Sequence, residues 1–165
     1  MAYLFYDLET SGLAPCWNVP LQAAFLQTDP DLQIQRELTL RCRLPQHIVP
    51  SPNALLVTSV MPDMLEHQPQ SHLEMMAQIG RIIADCKPTM LVGYNTIRYD
   101  DELLRQSFFQ CLRPPCAGSM TGHGRADVLT MLRAVIMLEP DAVVVPRDAG
   151  GKAVLKLGEV CTGSG

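Results

Sequence analysis

Two acidic side chains stand one residue apart near the start of the sequence. Asp7 and Glu9 close an apolar run that begins at Ala2. In a β-strand, residues i and i+2 point to the same face, so both carboxylates would continue the face that carries the rings of Tyr3 and Phe5. Two unpaired anions on a partly buried face are unfavourable, and a bound divalent cation removes that penalty. The spacing indicates half of a metal site, although a solvated strand edge or a helix N-cap with a first-turn acid would also account for it.

A third acid follows a second apolar segment much later in the chain. Thr89 to Val92 is typical of a short buried strand, and a helix is predicted from about Asp100 to Cys111. A strand, a turn and a helix in this order place Asp100 at the carboxyl end of the strand, the edge where open α/β sheets collect their ligands. Asp101 is the next residue and could supply the third carboxylate instead. Asp101 and Glu102 are also favourable acids in the first turn of a helix.

Three N-terminal strands would position the first two acids. Strands are predicted for residues 2 to 8, Leu21 to Gln27 and Leu32 to Arg43, with a turn at Thr28 to Asp31 between the last two. Consecutive strands joined by short turns indicate an antiparallel meander. Parallel strands would then be added through helices, which gives an α/β fold with a mixed sheet.

Several helices are predicted after the meander. Ser71 and Glu74 form a capping-box pattern, and the following apolar residues recur at helical spacing until a Lys-Pro pair stops the helix. Asp127 is expected to cap another helix after a loop that contains Pro114 and Gly124. The periodic apolar residues of the helix that begins after Ser71 are Leu73, Met76, Ile79 and Ile83. The remaining predicted elements are short helical pieces at Asn53 to Ser59 and Pro62 to Glu66, a loop from about Pro140 to Lys152, and the start of a helix at Val154 to Val160.

Composition limits the classes of protein to consider. The 165 residues include 17 acidic and 13 basic side chains, for a formal net charge of −4. This balance disfavours a protein that holds nucleic acid through a broad basic surface, so any such contact is expected to be local. The length favours a single domain over residues 1–165.

The cysteines and the N-terminus indicate a cytoplasmic location. The six cysteines include no Cys-x-x-C pair and have no histidine at zinc-ligand spacing, so they are interpreted as reduced, mostly core thiols. The first residues lack the basic region and long apolar stretch of a signal peptide, and no apolar run reaches the ~20 residues of a membrane span.

The motifs taken in order resemble a known family. YDLETSGL and GYNTIRYDDELL resemble the first two motifs of the DEDD 3′→5′ exonucleases, which have a ribonuclease H-like fold, and the longer string is similar to the exonuclease I branch of bacterial enzymes that degrade single-stranded DNA. PSPNALLVTSVMPDML, RADVLTMLRAVIMLEP and VLKLGEV resemble later segments of that branch. The resemblance covers nearly the whole chain, and it implies a ribonuclease H-like α/β sheet flanked by helices.

The resemblance also implies the catalytic chemistry. Asp7, Glu9 and Asp100 match the family's metal ligands, which implies two Mg²⁺ ions about 3.5 to 4 Å apart, with Mn²⁺ able to substitute. The implied substrate is the 3′ end of single-stranded DNA, released as nucleoside monophosphates by a monomeric enzyme whose protein partners the sequence does not identify. Candidate substrate-binding residues are Glu9, Thr10, Gly12, Arg105, Arg133 and Lys156. The basic residues would also suit an ordinary solvated surface, and Gly12 a plain turn.

One element of the family pattern is missing from this sequence. The family completes its site with a histidine followed five residues later by an aspartate, and none of the histidines at positions 47, 67, 72 and 123 precedes an acid by five. His123 precedes Asp127 by four, but Asp127 matches a helix-starting residue upstream of that motif. The expectation is therefore an incomplete exonuclease domain, truncated at its C-terminus, with little or no activity alone. Another DEDD nuclease, such as an oligoribonuclease or a proofreading subunit, and a non-catalytic metal- or nucleic-acid-binding module are the alternatives.

Overall fold

A five-stranded mixed sheet forms the centre of the computed structural model, which describes residues 2–86, 89–115 and 122–163. The strand order is β3-β2-β1-β4-β5, in which β2 lies antiparallel to both β1 and β3, while β4 lies parallel to β1 and β5. The predicted α/β class, the three-strand meander and the added parallel strands are all confirmed. The strands are β1 (Ala2–Thr10), β2 (Pro20–Thr28), β3 (Ile34–Arg41), β4 (Thr89–Gly93) and β5 (Gly124–Asp127).

Six helices accompany the sheet in the described part of the chain. The predicted capping box is present, because the Ser71 hydroxyl accepts from the Glu74 amide at 3.3 Å and the Glu74 carboxylate accepts from the Ser71 amide at 2.7 Å. No helix among these residues is long and apolar enough to cross a membrane. The helices are α1 (Pro52–Thr58), α2 (Pro62–Glu66), α3 (His72–Asp85), α4 (Asp100–Gln110), α5 (Val128–Leu138) and α6 (Leu157–Gly163).

Strand β5 corrects the sequence prediction, which gave a loop as far as Gly124. Glycine and aspartate are unfavourable in strands, so the segment carries no strand signal of its own. Pairing with β4 makes the segment a strand instead, since Gly124 lies opposite Met90 and Asp127 opposite Gly93. A Cβ on Gly124 would lie 2.7 Å from the Met90 sulfur, so the glycine allows the two strands to approach. Residues 116–121 of the predicted loop lie outside the described residues.

One face of the sheet packs against α3 and α4 to form the main core. Alternate residues of β1 point into this layer, as period-2 geometry requires, and the spacing of α3 and α4 turns one apolar side of each helix toward them. Leu73 shares the predicted helical spacing, but it is 54% exposed, because α3 turns Met75 and Met76 inward instead. The buried cluster includes Leu4, Tyr6, Leu8, Phe25, Met75, Met76, Ile79, Ile83, Leu103, Leu104 and Phe108.

The opposite face of the sheet is less fully covered. It contributes Phe5, Leu26 and Val92 to a groove of about 410 Å³, which Val128 and Leu157 also line. Asp7 follows Phe5 by two residues on β1 and lines the same groove. The alternation of β1 thus separates a buried face from an open one, and Asp7 lies on the open one.

Candidate metal centre and nucleotide pocket

The three predicted carboxylates lie at one edge of the sheet. Strands β1 and β4 run parallel with Phe5 opposite Val92, so their carboxyl ends face the same way. Asp7 and Glu9 continue β1 beyond this pairing, and Asp100 begins α4 after the turn that follows β4. Parallel pairing therefore brings together acids that are far apart in the sequence.

The charges of these carboxylates act on one another. Burial raises the pKa of Asp100 to about 7, and the charge of Asp7 adds to this rise, with smaller contributions from Asp101 and Glu9. Burial also raises the pKa of Glu9, again with help from Asp7, and burial raises the pKa of Asp7. The site is one in which negative charge accumulates and is poorly solvated, and a divalent cation would compensate it.

The donor set fits a hard divalent cation in kind and charge. Carboxylate oxygens are the ligands that Mg²⁺ and Mn²⁺ prefer, and three anions exceed the charge of one such ion. Among residues 2–86, 89–115 and 122–163, however, no group of three or more His, Cys, Asp or Glu side chains has the geometry of an assembled metal site. The arrangement is one of neighbouring carboxylates whose side chains would have to rotate to share an ion.

Thr10 and Gly12 lie directly beside Glu9 in a tightly bonded turn. The Thr10 hydroxyl donates to the Gly12 carbonyl at 3.0 Å, and the Tyr99 hydroxyl donates to the same carbonyl. A Cβ on Gly12 would lie 2.7 Å from the Asn18 side-chain oxygen, so this position has no room for a side chain. The turn is thereby fixed against the segment that leads into α4.

A pocket of about 580 Å³ opens next to this turn. Glu9, Thr10 and Gly12 line one side, and residues of α1 line the other. The apolar side chains suit a base or sugar face, and the amides and hydroxyls suit its polar edges. The sequence predicts only a short helix for the α1 segment, because the pocket exists only once β1 and α1 are packed together. Its further lining residues include Leu13, Asn18, Asn53, Val57 and Thr58.

The three predicted basic contacts lie on different elements. Arg105 is on α4, where its guanidinium pairs with Glu102 at 2.6 Å. Lys156 precedes α6 and pairs with Glu159 at 3.5 Å. Arg133 is exposed on α5, and its charge acts on the hydroxyl of Tyr94, a residue that lines the same groove as Asp7. The Tyr94 hydroxyl also donates to the carbonyl of Leu155, the residue before Lys156, whereas Arg105 lies on α4.

Two further acids near this edge are occupied by the protein itself. Both carboxylate oxygens of Asp101 accept hydrogen bonds, one from the Tyr6 hydroxyl and one from Arg125 at 2.6 Å. Asp127 caps α5 as predicted, accepting from the Thr130 amide, and it also accepts from the Asn95 and Ile97 amides. Burial opposes ionisation of Asp127, but these backbone donors outweigh it and lower its pKa.

His123 is buried, with 3% of its surface exposed. A general base has to reach the water from which it takes a proton, and a side chain enclosed in this way does not present its nitrogens to solvent. The four-residue spacing from His123 to Asp127 therefore reflects packing around β5, where Asp127 is already engaged with backbone amides.

Comparison with known proteins identifies relatives of the chain. No protein-family model matches it. Among curated proteins, the exodeoxyribonuclease I of Haemophilus influenzae is 31% identical over 94% of this chain, and that of Escherichia coli K12 is 28% identical over 99%. The chain spans about a third of the length of these relatives, 33% and 34% respectively.

Solved structures give the same result. E. coli exonuclease I in complex with a 5cy-dA13 oligonucleotide matches with a TM-score of 0.92 and 26% identity, over 99% of this chain and 36% of that one. The moderately thermophilic exonuclease I of Methylocaldum szegediense matches with a TM-score of 0.91 and 31% identity, over 99% and 35%. Other similar E. coli structures are a zinc-bound complex with single-stranded DNA and a complex with SSB-Ct. By sequence and by structure, nearly all of this chain is similar to about a third of exodeoxyribonuclease I.

Proposed function

We propose that this chain forms the metal-binding part of a 3′→5′ exodeoxyribonuclease that removes nucleoside monophosphates from single-stranded DNA. The observation that carries the proposal is the meeting of Asp7, Glu9 and Asp100 at the shared carboxyl edge of β1 and β4. The similarity to an exonuclease I bound to an oligonucleotide supports the substrate. A cytoplasmic monomer is part of the proposal, and the free state of Cys16, Cys42, Cys86, Cys111 and Cys161 agrees with a reducing compartment.

Asp7, Glu9 and Asp100 would hold the cations, which we propose to be two Mg²⁺ ions that Mn²⁺ can replace. When bound, such ions polarise phosphate oxygens and lower the pKa of a coordinated water. Glu9 lines the pocket beside Thr10 and Gly12, which supports a role for its carboxylate between an ion and the terminal 3′-hydroxyl. The fixed turn orients the last nucleotide, and the apolar pocket wall excludes water from its base.

Arg105, Arg133 and Lys156 are proposed to follow the DNA backbone. Their separation on different elements suits single phosphate contacts along a strand and not a compact basic patch. Arg105 and Lys156 would exchange their present carboxylate partners for phosphates, which favours weak binding without sequence preference.

A polypeptide of these 165 residues is expected to bind cations and DNA more readily than it hydrolyses DNA. It has no histidine with an aspartate five residues later, and a general base usually contributes about 10²- to 10⁴-fold to rate. A non-catalytic binding module is the second candidate, and this missing pair is the observation that favours it.

Hydrolysis and binding measured side by side test the proposal. A 5′-labelled single strand is incubated with the chain and Mg²⁺, and product length is followed, while calorimetry measures Mn²⁺ and oligonucleotide binding. Wild type should bind Mn²⁺, and Asp7→Asn should not. Slow stepwise shortening from the 3′ end supports the nuclease, whereas binding without shortening supports the module. An RNA strand of the same sequence is the control for sugar preference, and faster cleavage of RNA would point to an oligoribonuclease.

A further inference from the structure

Three buried or half-buried side chains join β1, α4 and β5 beneath the carboxylates. Asp101 is 8% exposed and Tyr6 is 7% exposed. Asp101 accepts a hydrogen bond from the Tyr6 hydroxyl through one oxygen and from Arg125 at 2.6 Å through the other. Tyr6, Asp101 and Arg125 are called the Asp101 clamp below. Its two donors, Tyr6 and Arg125, lie on β1 and β5, the strands on either side of β4. The clamp therefore crosses β4 on the side of the sheet where Tyr6 joins the core.

The clamp joins three elements that each carry another residue of interest. Strand β1 carries Asp7, helix α4 carries Asp100, and β5 carries Asp127, which caps α5. Tyr6 immediately precedes Asp7 on β1, and Asp101 immediately follows Asp100 on α4. Because neighbouring residues of a strand point to opposite faces, Tyr6 enters the core while Asp7 lies on the open face. A bond between Tyr6 and Asp101 on the inner side therefore fixes the distance between Asp7 and Asp100 on the outer side.

Both Tyr99 and Asp101 anchor the start of α4, where the Tyr99 hydroxyl donates to the Gly12 carbonyl. The residue before the helix, Tyr99, makes no side-chain cap, and the first turn is held by the Asp101 amide donating to the Thr96 carbonyl at 3.0 Å. The Leu103 amide donates to the Tyr99 carbonyl at 2.8 Å. With no side-chain cap, the bonds of Asp101 act together with those of Tyr99 and Asp127 to set the position of the Asp100 carboxylate.

We propose that Tyr6, Asp101 and Arg125 are positioning residues that hold Asp100 against Asp7 and keep the Asp101 carboxylate out of the cation site. The inference rests on the proposed function, since it concerns the same cation site. It assigns opposite roles to two adjacent aspartates. Asp100 is left for the cation, whereas both oxygens of Asp101 already accept hydrogen bonds from protein donors.

Mn²⁺ affinity measured by electron paramagnetic resonance on the full 165-residue chain tests the clamp. Tyr6→Phe removes one hydroxyl without changing charge or ring packing, and it should weaken Mn²⁺ binding about three- to tenfold. Asp101→Asn should weaken it at least tenfold. Glu102→Gln is the matched control, because it removes one carboxylate from the same helical turn but acts on Arg105 and Gln106 at the surface, and it should change the affinity less than twofold.

A second measurement without metal separates positioning from general stability. In Tyr6→Phe, amide hydrogen exchange should accelerate at Asp101 and Leu103, while the amides of α3 keep their protection. Wild type that fails to bind Mn²⁺ would refute the cation site itself and the clamp's role with it. Wild type that binds, with Tyr6→Phe and Asp101→Asn binding equally well, would refute the clamp alone. Equal losses in Glu102→Gln and Asp101→Asn would also overturn it, because they would indicate a charge effect.

Discussion

At the scale of single residues, the carboxylates that suit a cation also weaken the fold in its absence. Burial, with the charge of Asp7, raises the pKa of Asp100 to about 7, whereas an unfolded aspartate has a pKa of about 3.9. The folded state therefore keeps a proton that the unfolded state loses. The stability from this group is fully present below pH ~4 and is lost as the pH rises toward 7.

The first prediction concerns this pH dependence. Without metal, the free energy of unfolding of wild type relative to Asp100→Asn should fall by about 2 to 4 kcal/mol between pH 4 and pH 8, as measured by urea denaturation. The comparison with Asp100→Asn is needed because burial lowers the pKa of His72 to about 4, and that group gains stability over part of the same range. A difference that stays constant with pH would contradict the assignment.

The second prediction concerns Asp7. Removing its charge should let Asp100 ionise more easily, so Asp7→Asn should be about 1 kcal/mol more stable than wild type at pH 8 without metal. With millimolar Mn²⁺ the order should reverse, because only wild type gains binding free energy. Thermal unfolding with and without Mn²⁺ measures both effects. Asp85→Asn, a change at the end of α3, is the control and should shift neither melting temperature.

The residue-scale chemistry could be predicted only in part. Asp7 and Glu9 follow from the two-residue period of a strand, and Asp100 follows from the rule that ligands gather at the carboxyl ends of parallel strands. The bond from Tyr6 to Asp101 could not be predicted, because it joins residues 95 positions apart through packing that no local pattern encodes.

At the scale of elements, the turn from β4 to α4 is the most constrained connection near the site. A Cβ on Gly93 would lie 2.1 Å from the Thr96 side chain, and Asn95 has a φ of 63°. The Asp127 carboxylate accepts from the amides of Asn95 and Ile97 in the same turn. The turn therefore has little freedom to adjust, and the position of α4 depends on it.

The third prediction tests this turn. Gly93→Ala should destabilise the chain by about 1 to 3 kcal/mol, because the new methyl group overlaps Thr96, and it should weaken Mn²⁺ binding through displacement of α4. Gly158→Ala is the matched control, since nothing lies within 4 Å of that position on helix α6. It should be neutral or slightly stabilising. Chemical denaturation of both variants gives the comparison, and equal losses would exclude a specific role for Gly93.

The helices and strands were predicted correctly where a short sequence pattern encodes them. The meander, the capping box of α3 and the Asp127 cap were predicted because alternation, Ser-x-x-Glu and an acid before an apolar helix are encoded within a few residues. Strand β5 was missed because its residues disfavour a strand and only β4 orders them. Helical spacing alone does not say which side of α3 faces the sheet, and Leu73, one of the periodic residues, is exposed.

At the scale of the whole molecule, the net charge of −4 sets how DNA can be held. Affinity that depends on phosphate contacts falls with salt in proportion to the number of contacts, with a slope of about −0.7 per contact for single strands. The three proposed contacts lie on α4, on α5 and before α6.

The fourth prediction follows from this arrangement. A plot of log affinity for oligo-dT against log salt should have a slope between about −1 and −2, and Arg133→Gln should reduce its magnitude by about 0.7. Fluorescence anisotropy over a range of salt concentrations measures both slopes. Arg36→Gln, on strand β3 at the far side of the sheet, is the control and should leave the slope unchanged. A slope much steeper than −2 would mean that further cations take part.

The engagement of Asp127 with backbone amides has a consequence for mutational surveys. Replacing it with alanine would remove an α5 cap and loosen the turn that leads to Asp100, so DNA cleavage would decline as it does when a metal ligand is lost. A screen that scores activity alone would then count Asp127 with the three acids that we assign to the cation. Melting curves recorded without metal would tell them apart, since losing Asp127 lowers thermal stability and losing Asp7 does not.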